Sequence, residues 1–256
     1  MKNVVVEDSL KANSISIPSV LILTVLGSTF LFSLTPVFAT NPACGATLTA
    51  NTTLTGDIGV LAPCLGNGLV IGKNGITLNC AGFTISGTVA GDGGVYLSGR
   101  KKVTVENCIV TGFSSGIYLY DSSDNIITGN TANGNYAGIF LTSHSNKNHV
   151  TGNVADNNHF EGFYIVGSSG NILTGNTANN NQEEGFSNYM DASKNILTGN
   201  TAKNNLNYGY YDLSTSSSPG VPHWDTKNSY TSDTGSGNVL GLAGPNANMS
   251  TATSPF

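Results

Sequence analysis

Charge is scarce in this chain of 256 residues: only 10% of them are Asp, Glu, Lys or Arg, and a single arginine, Arg100, is present. A nucleic-acid surface needs a basic patch or stripe, and nothing of that kind is visible. Tryptophan is also nearly missing, with one copy, and helical periodicity is absent after residue 40. Without the 3.6-residue pattern no amphipathic helix is expected, so the apolar side chains must be buried by strands. Beyond residue 39, eight Lys/Arg remain (ten less Lys2 and Lys11) against thirteen Asp/Glu (fifteen less Glu7 and Asp8), a net charge of −5. Solubility then rests on Asn, Ser, Thr and Gly.

What is abundant is repetition. Asn125 opens NIITGNTA, Asn148 opens NHVTGNVA, and Asn171 and Asn195 each open NILTGNTA, with starts 23, 23 and 24 residues apart. A period in the low twenties, rich in Gly, Asn and β-branched residues, marks a solenoid whose coils each need a neighbour to bury their apolar side. Within each copy an Asn precedes by eight or nine residues a Gly that opens an alternating run: GVYL from Gly94, GIYL from Gly116, GIFL from Gly138, GFYI from Gly162. Period two is the mark of strands with one buried face. Seven coils are counted, stacked in parallel at roughly 4.8 Å.

Read in register, the columns assign themselves. One position after the Gly stand Val95, Ile117, Ile139, Phe163, Phe186 and Tyr210, expected inside; three positions after it stand Leu97, Leu119, Leu141 and Ile165, also inside. That second column fails at Asn188 and Asp212, which predicts distorted or open last coils. Asn107, Asn130, Asn153, Asn176, Asn200 and Asn228 are expected to form an internal amide ladder, a structural device because identical stacked amides satisfy one another.

Residues 1–39 stand outside this pattern. Lys2 and Lys11 precede a largely apolar stretch from Ile15 to Phe38 that closes on Val37-Phe38-Ala39, the form of an export signal, with an uncleaved membrane anchor as the alternative. The expected organisation is a signal peptide or membrane anchor over 1–39, an N-terminal cap and entry to the solenoid over 40–72, a parallel β-helix over 73–241 and a tail over 242–256. Two disulfides, Cys44 with Cys64 and Cys80 with Cys108, fit an oxidising compartment: secreted, periplasmic or cell-surface. The second pair falls at inter-strand distance if its two coils are consecutive, with two stacked buried thiols as the alternative.

The repeat N-x-I-x-G-N-x-A-x-N-N, followed by G-I-x-L and a Ser-rich turn, resembles the right-handed parallel β-helix repeats of the NosD-like family, which are grouped with carbohydrate-binding and sugar-hydrolysis domains. The resemblance covers roughly residues 70–240 and implies the fold: all-β, a right-handed single-stranded parallel β-helix of about seven coils with a 22–24-residue period. That group spans copper-enzyme maturation proteins, surface proteins, and polysaccharide lyases, hydrolases and epimerases, so activity has to be read from outward side chains. No metal site is expected. Four His (144, 149, 159, 223) and three Met (1, 190, 249) form no His-x-His, Met-rich or Cys-x-x-Cys cluster of the kind copper selects.

Three outward features carry candidate chemistry. Glu161 and Glu184 share a column, with Glu183 adjacent; they read as a catalytic pair, a calcium site, or two exposed side chains that splay apart, the last favoured because surface carboxylates have room to move. His223 and Asp225 flank the lone Trp224, a set used by sugar-epimerising β-helices or a loop that caps the core. Tyr96, Tyr118, Phe140, Tyr164 and, after a gap, Tyr211 form an outward aromatic file, either a platform for a glycan or a stack that stabilises the coils. Arg100-Lys101-Lys102 reads as a solvated basic turn.

The resulting expectation is an exported protein that binds a polysaccharide or another extended surface polymer. The alternatives are a lyase, hydrolase or epimerase acting at Glu161, Glu184 and the aromatic file, and a structural envelope protein. No cofactor is identified, calcium being possible; no nucleic-acid partner is expected, and a membrane only through an uncleaved leader.

Overall fold

The computed structural model describes residues 20–25, 28–33, 41–213 and 228–243. Two compact units result, Met1–Thr40 and Asn41–Phe256. In the first, Val20–Val25 pairs antiparallel with Ser28–Ser33. No helix among the described residues is long and apolar enough to cross a membrane.

The second unit is a parallel β-solenoid of about seven turns. Every coil contributes to three faces. The first face is a nine-stranded sheet running in chain order from Ala46–Leu48 to Gly241–Ala243, the second an eight-stranded sheet from Thr52–Thr53 to Ser229–Thr231. The third is two three-stranded sheets joined through Val154, which bridges to Thr131 on one side and Thr177 on the other. Pairing is in register throughout the repeat, Ile117 with Ile139, Ile139 with Phe163, Phe163 with Phe186 and Phe186 with Tyr210. Strand pairing begins at Ala46, which pairs with Leu69.

The repeat motif closes the corners between faces. Gly129, Gly152, Gly175 and Gly199 turn the chain at φ of 61 to 64°, a left-handed conformation that glycine adopts without strain. Each is followed by a buried Asn, and these amides stack. Asn153 donates from its backbone N–H (2.9 Å) and its amide (3.0 Å) to Asn176 Oδ1, and from the amide again to the Ile127 carbonyl (2.9 Å). The same arrangement recurs at the other two corners, through Asn125, Asn148, Asn171, Asn195 and Asn228, and through Asn135, Asn158, Asn181, Asn205 and Asn238.

Two members of the expected ladder are displaced. Asn107 is exposed: it takes the left-handed position itself (φ 54°), so the buried position falls to Cys108, whose N–H donates to Asn130 Oδ1 at 3.0 Å. Asn228 belongs to a different corner, and the rung after Asn200 is Asp233, which accepts the Asn200 amide at 2.8 Å.

The last coils are not open. Asn188 and Asp212 are buried and satisfied by polar contacts, Asn188 donating to the Tyr230 hydroxyl (2.9 Å) and Tyr230 donating to Asp212 Oδ2 (3.0 Å). A polar network thus replaces the aliphatic column without breaking strand register. At the other end, Cys44–Cys64 and Cys80–Cys108 are both disulfides, Cα atoms 5.4 and 4.6 Å apart.

Glycine before the buried hydrophobe is set by close approach. A Cβ on Gly162 would lie 2.7 Å from Ala178 Cβ and 2.8 Å from the Gly185 carbonyl oxygen, inside any normal contact. The chain therefore pinches inward here, and the residue just before the Gly sits at the edge of the first face. That edge is where the candidate site forms.

Candidate functional site

Three columns run side by side along the edge of the first face, defined by distance from the pinched Gly. Two residues before it come Ser114, Tyr136, Phe160, Glu183 and Asn207, whose backbones hydrogen-bond in succession from Tyr136 onward. One residue before it come Ser115, Ala137, Glu161, Glu184 and Tyr208. Two residues after it come Tyr118, Phe140, Tyr164, Ser187 and Tyr211, paired coil to coil.

The outward aromatic column is a continuous stack for four coils. Ring centroids step by 5.3 Å from Tyr96 to Tyr118, 5.1 Å to Phe140 and 4.8 Å to Tyr164, with interplanar angles of 26°, 11° and 13°. All four rings are half-buried, each covering its neighbours while leaving an edge to solvent. Ser187 interrupts the file, and Tyr211 beyond the gap stacks on Tyr208 and Tyr189 instead of on Tyr164.

Where the file breaks, a cleft of about 480 Å³ opens. Tyr136 and Phe160, with ring centroids 4.4 Å apart, make one wall; Phe140 and Tyr164 make the other. Small residues Ser115 and Ala137 form part of the floor, and Glu161, Glu183 and Glu184 complete it. The structure therefore brings Glu161, Glu184, Phe140, Tyr164 and Tyr211 to one cleft, with Tyr96 and Tyr118 on the ring file leading into it. His223 and Asp225 lie outside the described residues.

The carboxylates do not splay apart. Glu161 is 7% exposed and Glu184 8%, and ligating oxygens of Glu161, Glu183 and Glu184 lie within 4.8 Å of one another. They line the same cleft as the aromatic residues Tyr136, Phe160, Phe140 and Tyr164, with Glu183 half-buried beside the two buried carboxyls. Burial pushes the Glu161 carboxyl up to about 7, Glu183 and Glu184 adding repulsion and its own backbone N–H opposing it. Glu184 is raised too, first by burial and then by Glu183, but Asn207 donates to its Oε1 at 3.2 Å and favours the ionised form. Tyr164, facing this acidic floor from a half-buried position, is pushed up to about 12, mainly by burial. The cleft thus pairs a carboxyl that keeps its proton near neutrality with one whose hydrogen bond stabilises charge.

The expectation that Glu161 and Glu184 splay apart treated them as surface carboxylates with room to move. What it missed was the column two before the Gly: Tyr136 and Phe160 stand in register 24 residues apart and supply the second wall. Arg100 also proves structural, donating from Nε to the Ser98 carbonyl (2.8 Å) and from a terminal nitrogen to the Gly72 carbonyl (3.1 Å).

Residues 49–240 match a family profile described as "Periplasmic copper-binding protein (NosD)". No curated protein sequence matches the chain. Among solved structures, it is similar to the periplasmic alginate epimerase AlgG at a TM-score of 0.53 and 17% identity, over 73% of this chain and 46% of that one. It is similar also to the A-module of a mannuronan C-5 epimerase from Azotobacter vinelandii, at 0.54 and 14%, over 82% of this chain and 59% of that one. The chain spans about half the length of these proteins, and at such identities the likeness is one of fold. Among the described residues no imidazole or thiolate set of the kind copper selects is assembled. Among the described residues the cysteines are all oxidised, His149 lies on the second face, His159 behind Tyr136, and the one cluster of three donors is the carboxylate set, whose hard oxygens suit calcium or magnesium.

Proposed function

The chain belongs to the NosD family, and from that premise we propose that it is an exported β-helix protein that binds a polysaccharide along its first face. Export is supported by the periplasmic family description, the two disulfides and the leader-like composition of residues 1–39. The observation that carries the binding reading is the ring file itself: four aromatics at steps of 4.8 to 5.3 Å, close to the repeat of a pyranose chain, leading into a cleft with aromatic walls and hydrogen-bonding groups on its floor. Stacking alone would account for a ladder, but not for its interruption at Ser187 above a buried carboxyl pair.

The test is binding of the exported protein to a broad glycan panel with and without calcium. Tyr118→Ala and Tyr164→Ala should each weaken binding about five- to ten-fold. Lost stability with unchanged binding would reduce the file to a stabilising stack. A second reading, catalysis, is favoured by one observation: the carboxyl oxygens of Glu161, Glu183 and Glu184 gather within 4.8 Å on one cleft floor, and burial holds Glu161 protonated to about pH 7, as a general acid on a glycosidic bond requires. It predicts product release from the bound polymer that Glu161→Gln abolishes while binding persists.

A further inference from the structure

The charge of the cleft narrows the class of polymer it can accept. Among the described residues its lining includes three carboxylates and no Lys, Arg or His. Nearer the start of the ring file a further negative charge, Asp92, acts on the Tyr118 hydroxyl. His159, outside the wall and tilted against Tyr136 at 6.1 Å, does not line the cleft. Glu184 is nearly buried and has little solvent to screen it, so a carboxylate on a bound sugar would meet the charge of Glu183 and Glu184 at close range with no basic side chain among the lining residues to neutralise it.

Resting on the glycan-binding reading above, we propose that the cleft selects a non-anionic glycan and rejects polyuronates, unlike the alginate and mannuronan acted on by the two epimerases of similar fold. Aromatic walls supply apolar contact to the faces of neutral pyranoses, the carboxyl oxygens of the floor accept hydrogen bonds from their hydroxyls, and the protonated Glu161 donates one. Each interaction serves a sugar without an acid group. A uronate finds no counter-charge anywhere on that list.

The experiment is calorimetric titration of the exported protein, in EDTA at low salt, with neutral hexamers (cello-, manno- and laminari-oligosaccharides) and with oligomannuronate and oligogalacturonate hexamers. The expected result is that at least one neutral hexamer binds more than ten-fold tighter than either uronate, and that added salt narrows the gap by screening the repulsion. Glu183→Gln with Glu184→Gln should also narrow it, through a gain in uronate affinity. Should that double variant fail to fold, Glu183→Gln alone, at the half-exposed position, should give the same direction of change. Uronate binding equal to or tighter than neutral binding in EDTA overturns this proposal and leaves the glycan reading intact. So does uronate binding that appears only with calcium, which would mean that the carboxylates hold a bridging cation. Binding of neither set removes the glycan reading and this proposal together.

Discussion

At the scale of a residue, the sharpest consequence of this fold falls on Glu161. It lies one residue before Gly162, on the same side of the strand as the buried Phe163, and Phe160, Tyr136 and Tyr164 of the neighbouring columns line the cleft around it, leaving it 7% exposed. The folded carboxyl titrates near 7 while the unfolded one titrates near 4.5. The native state therefore binds the extra proton between those values. Stability from this group is fully present below about pH 4.5 and is lost as pH rises through 7, with a ceiling of about 3 kcal/mol. Denaturant midpoints at pH 5 and pH 8, compared with those of Glu161→Gln, should show the parent chain losing stability relative to the variant. Parallel behaviour of the two would mean that the carboxyl is solvated.

At the scale of an element, the corners are the units that repeat. A left-handed residue followed by a buried Asn occurs at all three corners of the central coils, as Asp124 before Asn125, Gly129 before Asn130 and Gly134 before Asn135. Only the TGN corner catches the eye in the sequence, because its left-handed residue is Gly in all four copies, whereas at the other two corners Asp, Lys and Asn share that place with Gly134 and Gly170. The same rule explains why Asn107 was misassigned by one position. It also exposes a fault in the ladder's last rung. Asn200 donates its amide to the Leu173 carbonyl, but Asp233 has no amide to donate, and its buried Oδ2 is left without a partner. Burial raises the Asp233 carboxyl accordingly. Asp233→Asn should restore the missing donor and stabilise the protein by about 1 kcal/mol at neutral pH, read from thermal or denaturant unfolding.

At the scale of the whole molecule, the solenoid is closed differently at its two ends. The first coils have no Asn ladder at the second corner; Cys80 and Cys108 stand in its place and are cross-linked, while Cys44–Cys64 ties the opening segment to the next coil. The last coils carry the buried network of Asn188, Tyr230 and Asp212. Nearest-neighbour stacking makes each end a separate site of fraying. Reduction should lower global stability by about 2–4 kcal/mol per bridge, and hydrogen exchange should show protection lost first around residues 44–108, with the repeats from Asn125 to Asn205 retaining it. Loss spread evenly along the chain would mean that the coils unfold as one unit.

Period, parallel stacking, the inward columns and both cysteine pairs were determined by the sequence by itself, because each follows from local rules: two-residue alternation, Gly and Asn at turns, and a repeat length that sets which residues stack. The cleft was decided only by the tertiary structure. Its walls and floor come from three columns that no single repeat reveals as neighbours, and its chemistry depends on a gap, Ser187, lying beside Glu161 and Glu184. Burial of those carboxyls is a property of coils meeting side by side, so the feature most relevant to function emerges only when the chain is wound.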